Sequence, residues 1–338
     1  MNRVYRFVRW TFKFYYERDG NMGKYTIGID VGGTKTAYGI FDENKKLITT
    51  LRQSSDSELP PEAFFDKIAV TIIDLCDGQN IKTDDLRGVG IGMPSYILYE
   101  EGRIIKTVNL TKIKEFSARA YLMNKLGGNV RVILDNDSHT GALAEYRHGA
   151  GKGFRHMIYC PLSTGISSGI IIDGELFRGK YGWSGESGHM IVTPGQGIEC
   201  GCGNKGCLMS WCSGSMIAKH VQSWIEDGQE TIMKTLTDDP KKLTAMHIDE
   251  AYLKNDAMAI RAVEQMVRYI AIWIYNLYVT LNINCFVFGG GLLKMNVRLL
   301  ERVREAFDEY NRNDMPVYFK TAELGEHFGI VGAAELLY

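Results

Sequence analysis

Two stretches of this chain follow the same short plan, and that repetition limits the folds open to it more than any other feature. From Tyr25, "YTIGIDVGG" is followed by "KTAYGIFD", a polar "ENKK" and "LITTLRQS". Three short apolar runs separated by Gly or Asn turns predict an antiparallel meander. From His156 the plan restarts: "HMIYCPLSTG" gives a strand and a glycine turn, "ISSGIIID" a second strand, Gly174 a tight turn, and "ELFRG" a third. The meanders over 25–53 and 157–178 match in order and spacing, each with a threonine-containing glycine turn after its first strand. We read this as an internal duplication of an α/β unit, with the boundary close to residues 134–137. A chain of 338 residues suits two domains, each large enough to bury a core.

The remaining elements follow from periodicity. Phe64, Phe65, Ile68, Ile72 and Leu75 recur at helical spacing and predict a helix over 61–77. "GVGIGMP" reads as a buried strand ending at Pro94, and a second helix covers about 115–126. "VRVILDND" is a strand running into the helix "HTGALAEYRHG". Long helical segments fill 214–280, "CFVFGGG" is a strand, a helix occupies about 293–311, and "FGIVGAAELLY" forms the last one. The opening "MNRVYRFVRWTFKFYYERDGNMGK" is aromatic and basic, with no long apolar run and no small-residue cleavage site. Arg3, Arg6, Arg9 and Lys13 leave it no clean apolar face for a membrane surface. Residues 1–23 are therefore expected to be an upstream start or a loosely ordered extension.

Charge and cysteine usage narrow the function classes. Lys and Arg number 39 against 40 Asp and Glu, so there is no basic field to hold nucleic acid. Seven cysteines is an odd number, and four lie within 200–212. That argues against a secreted disulfide framework and for a reducing, cytoplasmic setting with a local thiolate site.

Four segments carry the chemistry. In "IDVGGTK", Gly32 and Gly33 permit a tight turn whose backbone amides make an anion-binding concavity. Thr34 and Lys35 add a hydroxyl and a cation, and Asp30 sits where it could orient a hydrated Mg²⁺. Because the turn joins two strands, it is not a strand-to-helix phosphate loop of the Walker type; alone it is a plain hairpin. "STG" at 163–165, with Thr164 and Gly165, repeats the device in the other half. The pair would clamp a polyphosphate between two domains. Gly289, Gly290 and Gly291 in "VFGGGL" are either a plain strand–helix turn or a side-chain-free surface for a flat ring or ribose. Asp135 and Asp137 in "LDNDSHTGALAE" end an apolar strand, the usual place for active-site residues in α/β sheets; taken alone, Asp137 reads first as a helix N-cap. His189, Cys200, Cys202 and Cys207 form H-x10-C-x-C-x4-C. One imidazole and three thiolates suit tetrahedral Zn²⁺ and leave no open position for a reactive water. Cys76, Cys160, Cys212 and Cys285 read as packed thiols.

From about Lys24 to Tyr338 the chain resembles the ROK family of sugar kinases and regulators, within the actin/hexokinase-like ATPase superfamily. The matching segments are "DVGGTK" at Asp30–Lys35, the Asn136–Asp137 pair with Ala144 and Glu145 on the helix behind it, and "GESGH" at 185–189. The three cysteines and Gly289–Gly291 complete the set. The resemblance implies two ribonuclease H-like domains, 24–134 and 135–325, around a central cleft, with the helix at 326–338 returning to the first. It implies an ATP-dependent kinase moving the γ-phosphate of Mg-ATP to a hexose hydroxyl, usually O6, with Asp137 as general base. Asn109, Asn136 and Glu186 would contact the sugar. His189 would bind a structural zinc through one ring nitrogen and aim the other at a sugar hydroxyl. Homodimers or tetramers, and no nucleic-acid or membrane partner, are implied as well.

Some positions break the pattern. The family usually has Glu where this chain has Met209, so either a charged contact with the anomeric hydroxyl is lost, at a cost of about 1.5–3 kcal/mol, or the thioether packs against a substituent at C1, as in a glycoside. The second phosphate turn, usually Gly-Thr-Gly-x-Gly, carries Ser163 and Ser167, and Ser95 and His139 also depart from the commonest residues. Two rival readings follow. A sugar-sensing regulator would need a DNA-binding domain, for which the two dozen residues before the first strand are too few. A sugar-binding protein without catalysis is favoured by Met209, Ser163 and Ser167 and opposed by the retained Asp137.

Overall fold

The computed structural model describes residues 23–338, so the stretch read as an extension lies, but for Gly23, outside the described residues. The first half begins with β1 (Tyr25–Val31), β2 (Lys35–Phe41) and β3 (Leu47–Ser54), followed by α1 (Pro61–Asp77) and β4 (Leu86–Met93). Then come β5 (Ser95–Leu98), β6 (Arg103–Thr107), β7 (Lys114–Phe116), α2 (Ala118–Lys125), β8 (Val132–Asn136) and α3 (Asp137–His148). The five-stranded sheet has the order β3-β2-β1-β4-β8. Its first three strands are antiparallel, while β4 and β8 run parallel to β1.

The second half repeats this plan. It contains β9 (Met157–Pro161), β10 (Gly169–Ile172), β11 (Glu175–Leu176), α4 (Leu208–Cys212), α5 (Gly214–Glu226), α6 (Ala245–Leu253) and α7 (Ala257–Leu281). After these come β12 (Cys285–Gly289), α8 (Leu299–Tyr310), β13 (Tyr318–Thr321) and α9 (Phe328–Glu335). Its sheet order, β11-β10-β9-β12-β13, corresponds strand for strand to the first, with β12 parallel to both β9 and β13. The duplication legible in the two meanders is thus a duplication of whole sheets.

The long helices arise where pattern and caps agree. α1 opens with Pro61 at its first position and turns Phe64, Phe65, Ile68 and Ile72 into the first core. α7 is capped by Asp256, whose carboxylate accepts from the Ala259 amide, and it stops at Asn282 in the left-handed conformation that asparagine tolerates. Between these ends Val263, Met266, Ile270, Trp273 and Ile274 are buried in the second core.

Four details depart from the sequence reading. β5, β6 and β7 form a separate three-stranded sheet, so the second helix starts only at Ala118. Helical segments do not fill 214–280 throughout: between α5 and α6 only short 3-10 turns occur, over Ile232–Thr235 and Pro240–Lys242. The triple glycine leads into a 3-10 turn over Gly291–Lys294 before α8. An edge strand, β13, completes the second sheet. α9 lies on the first sheet through bare backbone: a side chain at Gly28 would stand 1.9 Å from the Ile330 carbonyl, and one at Gly90 1.8 Å from that of Ala333. No helix among the described residues is long and apolar enough to cross a membrane.

Candidate active site

The site is centred on the junction of β8 and α3. Asn136 caps α3: its Oδ1 accepts from the Ser138 amide at 2.9 Å and the Ser138 hydroxyl at 2.6 Å. Its Nδ2 donates to the Ser95 carbonyl at 3.3 Å. The capping role considered for Asp137 therefore belongs to its neighbour, and Asp137 opens the first helical turn. Its Oδ1 shares the Ser138 amide at 2.9 Å. Burial pushes the Asp137 carboxyl above the ordinary range, against the pull of the Ser138 amide and the charge of His139. Asp30, near the end of β1, is pushed up to about 6, by burial first and then by the charge of Asp137. Two parallel-sheet strand ends thus bring two carboxylates into one another's field, an arrangement that favours a cation between or beside them.

The glycine turns are held from behind. The Gly32 amide donates to the Lys35 carbonyl at 2.9 Å. Ser55, buried, donates its hydroxyl to the Gly32 carbonyl at 2.7 Å and its amide to the Thr34 carbonyl at 3.0 Å. This leaves the Thr34 and Lys35 side chains exposed. A side chain at Gly33 would meet Asn109 Cβ at 2.8 Å, so the predicted sugar contact Asn109 sits against the first turn. In the second turn the Ser163 amide donates to the Gly165 carbonyl at 3.0 Å. The Ser163 carbonyl accepts from the Gly214 amide at 2.8 Å, and that of Thr164 from the Ser215 hydroxyl at 3.0 Å. Gly290, at φ 97°, lies so close to Leu162 that a side chain would fall 2.3 Å from its carbonyl. Residues 163–165, 289–291 and the start of α5 therefore form one cluster, and at Gly165 and Gly291 an added Cβ would find open space.

Glu186 stands on the segment after β11. The Tyr96 hydroxyl donates to its Oε2 at 3.4 Å, and His189 Nε2 lies 3.9 Å from the same oxygen. Burial, then the charge of Asp137, raises the Glu186 carboxyl. The ligand atoms of His189, Cys200, Cys202 and Cys207 all lie within 4.8 Å of one another. His189 Nδ1 is 3.4 Å from Cys200 Sγ, and Cys202 Sγ is 3.6 Å from Cys207 Sγ. A tetrahedron with Zn–S arms of about 2.3 Å has edges of about 3.8 Å, slightly less where nitrogen replaces sulfur. The four donors fit such an ion, with Nδ1 turned to the cage and Nε2 toward Glu186. Burial lowers the His189 pKa, favouring the neutral ring a metal requires. Met209, on α4, would lie 3.0 Å through its methyl from a side chain placed at Gly188.

Sequence reasoning missed several supports. Ser55 behind the first turn, Tyr96 on Glu186, and Arg178 on Asp135 at 2.7 Å lie tens of residues from the groups they hold. No local spacing announces them. Cys76, Cys160, Cys212 and Cys285 are buried thiols, as expected.

Comparison with known proteins adds an independent line. The model of the ROK family matches residues 26–338. A glucokinase of Streptomyces coelicolor is 30% identical over 92% of this chain and 96% of its own. The crystal structure of a ROK hexokinase from Thermus thermophilus has a TM-score of 0.79 at 28% identity, covering 92% of this chain and 97% of that one. A ROK family glucokinase from Streptomyces griseus, solved with glucose and AMPPNP, has a TM-score of 0.75 at 28% identity, covering 92% and 98%.

Proposed function

This chain belongs to the ROK family, and from that premise we propose how its residues carry out the reaction of an ATP-dependent sugar kinase. The chain is a sugar phosphotransferase; the sugar, the hydroxyl and the residue roles are our reading. A hexose hydroxyl, O6 in the simplest case, attacks the γ-phosphorus of ATP in line while Asp137 takes its proton, and the bond from that phosphorus to the β,γ-bridging oxygen breaks to release ADP. Phosphoryl transfer depends chiefly on positioning and on neutralising charge. The turns at 32–35 and 163–165 would hold the phosphates through backbone amides, with Thr34, Lys35 and Thr164. Gly289, Gly290 and Gly291 would lie against the nucleoside. Asn109, Asn136, Glu186 and the Nε2 edge of His189 would bind the sugar.

Asp30 would hold Mg²⁺, which neutralises phosphate charge when bound. His189, Cys200, Cys202 and Cys207 would hold a structural Zn²⁺ that fixes the His189 ring beside Glu186. The units 24–134, joined by 326–338, and 135–325 would close over both substrates, as a homodimer or tetramer in the cytoplasm. The observation that carries this reading is Asp137 itself. It is a half-buried carboxylate just past a strand end, relieved of capping by Asn136, in the field of Asp30 and Glu186.

The decisive experiment is Mg-ATP-dependent ADP release with glucose, mannose, allose, fructose, N-acetylhexosamines and β-glucosides. Turnover is expected with one sugar class and a loss of about 10²–10⁴ in kcat for Asp137→Asn. Preference for a glycoside would assign Met209 to an apolar C1 substituent. Sugar binding without turnover, in zinc-replete folded protein, would replace the kinase by a binding-only protein.

A further inference from the structure

We propose that His139 is a positioning residue for the sugar. As an imidazolium bonded to Asp135 on one side and to the Ser184 carbonyl on the other, it ties the helix opening with Asp137 to the segment carrying Glu186. The proposal rests on the kinase reading and names a group outside the reacting set.

Asp135 and His139 are 1% and 0% exposed. Asp135 Oδ1 accepts from His139 Nδ1 at 2.6 Å and from the Asn136 amide at 2.8 Å, and its Oδ2 accepts from Arg178 Nε at 2.7 Å. His139 Nε2 lies 2.9 Å from the Ser184 carbonyl. A carbonyl only accepts, so Nε2 carries a hydrogen. Nδ1 faces the Asp135 carboxylate, whose other oxygen accepts from Arg178, so it carries one too. Two donating ring nitrogens make an imidazolium.

The far end of the tie has little slack. The Ser184 hydroxyl donates to the Phe177 carbonyl, and the Ser184 amide donates to that of Arg178 at 3.2 Å. Next comes Gly185, at φ 83°, where a side chain would stand 1.8 Å from the Ser168 carbonyl. The Ser168 amide donates to the Gly185 carbonyl at 2.7 Å. Where Ser184 is held, Glu186 two residues on is therefore held as well.

The charges support the same role. His139 is faced by Asp135 from β8, by Arg178, which lies 4.0 Å over the Tyr99 ring, by Asp137 on its own helix and by Glu186 on the neighbouring segment. One buried acid and two cations leave a surplus positive charge. That charge eases the ionisation of both Asp137 and Glu186. Asp135 and the Ser184 carbonyl raise the His139 pKa against burial, so the ring loses its second proton only on the alkaline side of ordinary histidine. One of the two bonds then breaks.

The test compares wild type with His139→Gln and Arg178→Gln. In His139→Gln the sugar KM should rise about tenfold or more while the ATP KM changes less than about twofold, the scale of a small misplacement of a binding group. The wild-type alkaline fall in kcat/KM for sugar should be absent from the variant. A nitrogen-15 spectrum of the wild-type imidazoles should contain one ring with both nitrogens protonated and protected, missing in His139→Gln. A neutral ring, or a folded His139→Gln with wild-type sugar KM and pH profile, overturns the proposal. Should that variant not fold, Arg178→Gln at its partly exposed position serves instead. The same selective rise in sugar KM supports the tie, and an unchanged KM rejects it. The ring-nitrogen spectrum needs no substrate. Absence of sugar turnover in the wild type would therefore sink the kinase reading, while the spectrum still decides the state of His139.

Discussion

A carboxylate placed in the first turn of a helix gains from the helix dipole, yet the partial burial of Asp137 outweighs that gain and raises its pKa above the ordinary 3.8. The sign of the stability effect follows. Between the ordinary and the raised value the folded chain holds a proton that the unfolded chain has lost, so stability falls as pH rises through that window and stays low above it. Asp137→Asn should therefore be at least as stable as wild type at pH 7.5, with the difference shrinking as pH approaches 4. Thermal melts across pH would measure this, and a variant less stable at pH 7.5 would remove the argument. The strand-end aspartates were legible in the sequence because an apolar run stops at them. Which neighbour caps the helix was not, since Asn and Asp are equally good caps and only the turn geometry separates them.

Segment 189–207 holds four metal donors and little regular secondary structure. Two isolated bridges, Ile191 with Cys207 and Glu199 with Lys205, are its only strand-like pairings, and Gly195, Gly197, Gly203 and Gly206 all take positive φ. Such a segment loses much conformational entropy on ordering, so a bound ion would supply part of its folding free energy. Purified protein should hold about one zinc per chain. Cys202→Ser should lose that zinc, melt earlier and show a raised sugar KM, because His189 Nε2 is no longer fixed near Glu186. Metal-free wild-type protein with an unaltered melt, or a Cys202→Ser variant of unaltered KM, would refute this. The cage was legible because its ligands are close in sequence. The β5–β7 sheet was not: "RIIKT" and "KEF" are too short and too charged for a period to emerge, and its anchors are the buried Ile97 and Ile104 and the half-buried Phe116, which stacks on Phe65. β13 escaped for the same reason, being an edge strand with an exposed tyrosine.

At the scale of the molecule, α3 is wedged between the halves. On one side a side chain at Gly169 would stand 2.3 Å from the Ser138 carbonyl, and Gly141 makes room for the Tyr159 ring of the second sheet. On the other, Gly332 of α9 lies so near that a side chain would fall 1.9 Å from the Thr140 carbonyl. Close-packed layers of this kind shift as bodies rather than deform gradually. If nucleotide and sugar are each gripped by both halves, each should favour the same closed arrangement. The coupling must then be equal in both orders of addition, at about 5–150-fold. Calorimetric titration of sugar with and without AMPPNP, and of AMPPNP with and without sugar, measures both factors. Independent affinities in both orders would mean that the halves do not close over the pair. Gly332→Ala would push a methyl into the Thr140 carbonyl and force α9 off α3, at a cost of about 1–3 kcal/mol in stability. It should reduce the coupling factor more than it weakens either ligand alone if closure turns on the α9–α3 contact, because it alters that contact and none of the residues proposed to bind the ligands.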